Sequence, residues 1–153
     1  MALSADGNLV VVGGVAHNGG MGVVSAFTRG GGQWRLDKKL VGTGAVGQSA
    51  PSVALSADGN IVMVGGPNDN GGVGAAWVFA RRGGDWTEEK KLVGDEPAAS
   101  VAASSNDSII MIGGSNGRGT VGTTAAFKSG SVADHQERVA PPAAPDHRLS
   151  WEE

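Results

Sequence analysis

The chain contains no cysteine and no tyrosine, and aromatic residues make up only 5% of it. Without cysteine there is no disulfide framework, no zinc ribbon and no thiol nucleophile. Histidine occurs three times, at His17, His135 and His147, and no pair has the H-x-x-x-H spacing of a zinc-binding helix. No apolar run approaches the roughly 20 residues that a membrane helix needs. The opening MALSADGNLVVV also lacks the basic region and long apolar core of a secretory signal. Net charge is −3 with no basic stripe, so nucleic acid is not an expected partner. The recurring serines Ser4, Ser56 and Ser104 never stand in G-x-S-x-G, and the glycine clusters include no G-x-x-x-x-G-K-[ST]. No residue set amounts to a catalytic, cofactor or metal site, and the chain reads as a non-enzyme.

What is abundant is glycine, 27 of 153 residues, and it falls within a repeat. ALSADGN at 2–8 returns at 54–60, VGG at 12–14 returns at 64–66, and KKLVG at 38–42 returns at 90–94. The offset is 52 throughout, since Phe27 maps to Phe79 and Trp34 to Trp86. A third, eroded copy follows, in which IIMIGG at 109–114 answers IVMVGG at 61–66. A period near 50 residues marks a modular β architecture. The copies occupy about 1–52, 53–100 and 101–128, and 129–153 is charged, proline-bearing sequence foreign to the repeat and expected to be disordered.

Each full copy divides into four strands. The first, at 2–4 and 53–56, runs into Ala-Asp-Gly-Asn, a strong hairpin signal because Asp-Gly tolerates positive φ. A calcium-ligand role for that aspartate is the weaker reading. The second strand, at 9–12, 61–64 and 109–112, is a β-branched run that suits burial on both faces, with a glycine pair closing it. The third, at 22–29, 74–82 and 122–128, carries Phe27, Phe79 and Phe127 at matching places. The fourth, at 33–41 and 85–93, is polar and expected to lie exposed at the outer edge, with Trp34 and Trp86 covering that edge or stacking on sugars. The third copy lacks a fourth strand, so eleven are expected.

The unit at 52–79, SxxALSADGNxxxVGGPxDNGGxGAAWVF, resembles the FG-GAP repeat of bacterial surface and secreted proteins, the blade unit of integrin-alpha-like β-propellers. The resemblance covers about 2–128. It implies an all-β fold of four-stranded antiparallel propeller-type blades, here about two and three-quarter repeats, with an extracellular or cell-surface setting. It also implies adhesion or ligand recognition, with calcium bound in several members through a DxDxDG-type loop. The corresponding loop here holds one carboxylate, Asp69, between Asn68 and Asn70; the other copies offer His17-Asn18 and Asn116-Gly117-Arg118. Calcium affinity depends on the number of charged ligands, and this set falls short. Closed propellers have 4–8 blades, so the count implies a fragment, an oligomer or an open stack able to self-associate through its blade edges.

Loops at 15–21, 67–73 and 115–121 differ between copies while their flanks repeat, as recognition loops on a fixed scaffold do. The expected function is therefore binding of a protein or glycan through His17, Asn18, Asn68, Asp69, Asn70, Asn116 and Arg118. The alternative is a three-fold β-trefoil or β-prism acting as a small carbohydrate-binding protein.

Overall fold

A computed structural model describes residues 1–17, 21–45, 52–72, 74–93, 98–103, 110–114, 124–127 and 137–138. Its strands form three antiparallel sheets of four. The first holds β1 (Ala2–Leu3), β2 (Leu9–His17), β3 (Met21–Gly30) and β4 (Gln33–Leu40). The second holds β5 (Ser52–Leu55), β6 (Ile61–Gly66), β7 (Ala75–Arg82) and β8 (Asp85–Leu92). The third holds β9 (Ala98–Ala103), β10 (Ile110–Gly114), β11 (Thr124–Phe127) and β12 (Glu137–Arg138). Within each sheet the strands lie side by side in chain order, so every connection inside a sheet is a hairpin. The protein is all-β. Its described strands form open sheets with no closed barrel, which removes the trefoil alternative.

The described residues form twelve strands where eleven were expected. The extra one is β12, which lies in the segment read as foreign to the repeat and pairs Glu137 with Ala126 and Arg138 with Ala125. The glycine pairs expected to close the second strands instead belong to them. Gly65 and Gly66 pair with Ala76 and Ala75, and a Cβ built on Gly66 would meet the Trp77 ring at 2.9 Å. Glycine is there to let an indole lie against the backbone. The Phe127 position in β11 repeats the place of Phe27 and Phe79, opposite the start of the second strand in each copy.

The middle sheet is buried on both faces, and its alternation sorts the core. Val62, Val64, Trp77 and Phe79 pack with Leu9, Val11, Val24 and Ala26 of the first sheet. Met63 and Val78 point the other way and gather Ala54, Ile61, Leu92 and Val101. Full burial of each such side chain contributes roughly 1.5–3 kcal/mol. The two-sided burial expected of the second strand holds in β6. In β2, Leu9 and Val11 are buried whereas Val12 is exposed, because only the Leu9–Val11 face of this strand packs on the second sheet.

The two SADGN segments fold alike, and their hydrogen bonds explain the motif letter by letter. The Ser4 hydroxyl donates to Asp6 Oδ1 at 2.6 Å and accepts the Leu9 N–H at 3.0 Å. Asn8 donates its backbone N–H to Asp6 Oδ1 and its amide to Oδ2, both at 3.0 Å. Gly7, at φ 68°, closes the turn by donating to the Ser4 carbonyl at 3.0 Å. Ser56, Asp58, Gly59 and Asn60 repeat every one of these contacts. Strand reversal therefore takes a five-residue loop rather than a two-residue Asp-Gly turn. The aspartate oxygens are occupied by Ser and Asn donors, which is the structural use of this residue. Ala5 also donates to the Ala57 carbonyl at 2.9 Å, tying the two loops together.

Candidate functional site

By sequence, the expected recognition residues fall between the second and third strands of each copy. Asn18, Asn116 and Arg118 fall outside the described residues. His17 ends β2, where its backbone pairs with Met21. Asn70 sits in a 3-10 turn at Asp69–Gly72 that follows β6. Asn68, just before this turn, is exposed.

Asp69 is placed differently from what a polar Asn-Asp-Asn loop implies. Its side chain is 2% exposed, and its carboxylate meets Lys91 Nζ at 2.8 Å. The turn is closed behind it by Gly74 N–H donating to the Asp69 carbonyl at 2.8 Å. Lys91 also donates to the Gly44 carbonyl at 3.2 Å and stands 5.0 Å from the centroid of the Trp77 ring. Trp77 in turn donates its indole N–H to the Thr43 carbonyl at 3.2 Å. Thr43 donates its N–H and its hydroxyl to Glu88 Oε2 at 2.8 and 3.0 Å. Asp69, Lys91, Trp77 and Glu88 thus hold residues 42–45, which leave the first sheet, against the second. Burial and ion pairing take the Asp69 carboxylate out of reach of a ligand at the loop and make it a structural anchor. By the 52-residue offset, His17 is the sequence counterpart of Asp69, but it ends strand β2 where Asp69 opens a 3-10 turn.

A second junction joins the two outer strands, and nothing local in the sequence points to it. In β4 and β3, Ala26 pairs with Lys38 but Phe27 pairs with Leu36, so Asp37 is an extra, bulged residue. The bulge lets Asp37 and Lys38 both reach the second sheet, where strict alternation would send one of them away. Asp37 accepts the Trp86 indole N–H at 3.0 Å and faces Arg81 at 3.3 Å. Lys38 Nζ donates to the Trp86 carbonyl at 3.0 Å. Trp86 is consequently held at both ends and is 4% exposed, whereas its counterpart Trp34 is 45% exposed. The two tryptophans were expected to play one role at the outer edge; only Trp34 lies open to solvent. The fourth strand is otherwise exposed as expected, along all of β4 except Leu40.

In β7 and β8 the bulge recurs, with Glu89 as the extra residue. Its carboxylate pairs with Arg82 of the same sheet at 3.4 Å, and both side chains are largely exposed.

Among the described residues no three His, Cys, Asp or Glu side chains come together as a metal site requires. No described helix is long and apolar enough to cross a membrane. The Ser4 hydroxyl, and after it the backbone and side-chain amides of Asn8, hold the Asp6 carboxyl below the ordinary aspartate range. No protein-family model and no curated protein matches the chain.

Proposed function

We propose that this chain is a non-enzymatic repeat scaffold of the FG-GAP, propeller-blade type that binds a protein or glycan through its inter-strand loops. The observation that carries the reading is the shared construction of the sheets. All three follow chain order, the first two pair equivalent residues at an offset of 52 (Val10 with Phe27, Val62 with Phe79), and the middle one is packed on both faces. The connections that follow β2 and β6 hold equivalent places in the repeat, at an offset of 52. Loops of this kind vary in sequence at little cost while the sheets hold them in place. Within the loop after β6 the division of labour is clear: Asp69 anchors and Asn68 faces solvent.

The contact surface of this reading is therefore Asn68 together with the His17-Asn18 loop. The test is a glycan array and a displayed peptide library probed with the whole chain. Binders selected there should lose at least tenfold in affinity on the His17→Ala/Asn68→Ala double variant, with an unchanged melting temperature. Full retention of binding by that variant removes these loops from the account.

A further inference from the structure

We infer that the outward face of the first sheet is a docking surface for another four-stranded sheet of this same repeat, one that presents a carboxylate at the bulge of its outer strand. The inference rests on the 52-residue equivalence and not on any ligand at the loops. Its failure would leave the loop-binding reading standing.

The first sheet has two faces. One packs on the second sheet through Leu9, Val11, Val24 and Ala26. The opposite face carries Leu3, Val12, Phe27, Trp34 and Leu36. By the repeat offset these stand where Leu55, Val64, Phe79, Trp86 and Glu88 stand in the second sheet, and those are the residues turned toward the first sheet. Met1, Leu3, Val12, Trp34 and Leu36 are five of the seven large apolar side chains exposed among the described residues. Apolar groups gathered on one face of a sheet mark an interaction surface.

The kind of occupant follows from the polar groups on that face. Arg29 and Trp34 are cross-strand partners in β3 and β4, as Arg81 and Trp86 are in β7 and β8. The second pair converges on one carboxylate, Asp37 of the neighbouring sheet's bulge. Among the described residues Arg29 and Trp34 have no carboxylate partner, because the first sheet's own bulge acid points to its other face. A guanidinium beside an indole N–H presents donors for one incoming acid, and the fold shows which kind of strand delivers it. A second copy meeting this face with its own outward face would bring Arg29 and no acid from the described strands, so neither guanidinium would gain a carboxylate. The face does differ from its covered counterpart, since Leu36 replaces Glu88, Val23 replaces Ala75 and Ser25 replaces Trp77. The contact accordingly lacks the Glu88 and Trp77 anchors and is centred on Arg29 and Trp34.

The experiment extends the full chain with an extra copy of residues 1–52 placed directly before Met1, so that Asp37 of the added copy precedes the original Trp34 by one repeat. Tryptophans are labelled with fluorine, and the original Trp34 resonance is assigned by Trp34→Phe. The H2O/D2O isotope shift of that resonance should fall to the level of Trp86, and the melting temperature should rise above that of the parent chain. Asp37→Asn in the added copy should return much of the shift. Three outcomes overturn the inference: an original Trp34 that stays solvent-exposed or an added copy that stays unfolded; protection of Trp34 indifferent to Asp37→Asn; or protection that appears in the parent chain with rising concentration, which would assign the face to self-association.

Discussion

Trp86 donates its indole N–H to the carboxylate of Asp37 at 3.0 Å, so the outer strand of one sheet grips the first residues of the next outer strand. The same carboxylate faces Arg81 at 3.3 Å, and Arg81 lies 5.7 Å from the Trp86 ring centroid. Asp37→Ala leaves a largely buried indole donor without its acceptor, and should lower unfolding free energy by about 1–3 kcal/mol. Glu89→Ala, at the equivalent bulge, removes only an exposed ion pair and a long, exposed hydrogen bond from Thr87 within one sheet, and should change stability by less than about 0.5 kcal/mol. Urea melts of the two variants make the comparison, and a double-mutant cycle of Asp37→Ala with Trp86→Phe should return a coupling near 1 kcal/mol. Equal costs at the two bulges would show that the junction is not what stabilises.

How much of this arrangement is legible from the residues alone differs from place to place. The SADGN turn is legible because all its partners lie within five positions of one another, and local hydrogen bonds follow from local spelling. The two-sided burial of β6 is legible from its unbroken apolar run. Trp34 and Trp86 are not distinguishable, since they hold the same position in equivalent strands and differ chiefly in what packs against them. Asp69 reads as a surface loop residue because its partner, Lys91, arrives two strands later and comes to it only when β8 has paired with β7. The bulges at Asp37 and Glu89 have no spelling of their own; they show only in the pairing, between Ala26 and Phe27 and between Val78 and Phe79. Glu137-Arg138 is too short to carry a pattern, so β12 emerges only from its pairing with β11.

The buried pair of Asp69 with Lys91 leads to a second expectation. Asp69→Asn leaves Lys91 facing Trp77 and the Gly44 carbonyl without its counter-charge. Breaking such a pair costs about 3–5 kcal/mol when both members are buried. Lys91 keeps part of its side chain in solvent, so about 2–3 kcal/mol is expected here. Because the pair is shielded, raising salt from 0.05 to 0.5 M should alter this difference little, in contrast to surface ion pairs. The double variant Asp69→Asn/Lys91→Met should be less destabilised than the sum of its singles. Thermal and urea unfolding at the two salt concentrations provide the measurement, and additivity of the two substitutions would remove the pair from the stability account.

Gly42 makes a sharper steric case. A Cβ placed there would fall within the ring of Trp77, which is itself held by Thr43 and packed against Gly66. Neither side can give way easily, as the indole is buried and residues 42–45 are tied to Glu88 and Lys91. Gly42→Ala should therefore destabilise by about 1–3 kcal/mol, the usual cost of overpacking, and blunt the near-ultraviolet dichroism of Trp77. Gly14→Ala is the control, because a Cβ there meets only the Val23 carbonyl oxygen, at 3.7 Å. It should stay within about 0.5 kcal/mol of the parent. A Gly42→Ala protein as stable as the control would mean that the strap can shift off the indole.

The last expectation concerns acid. Asp6 has its carboxyl held down first by the Ser4 hydroxyl, then by the Asn8 backbone amide and the Asn8 side chain. Its folded value therefore lies below its unfolded one, and between the two the unfolded chain binds more protons. The stability this group contributes is fully present above roughly pH 4, the ordinary aspartate value, and is lost as pH falls through the depressed folded value. Ser4→Ala removes the largest cause, so the Asp6 midpoint should move up toward the ordinary value and the acid-side loss of stability attributable to it should shrink. Asn8→Ala keeps the backbone donor and should move the midpoint less. Carboxyl carbon chemical shifts of Asp6, followed from pH 6 to 2 in the three proteins, give the order directly. A larger shift in Asn8→Ala than in Ser4→Ala would reassign the main donor. No movement in either would mean that the turn's hydrogen bonds do not persist in solution.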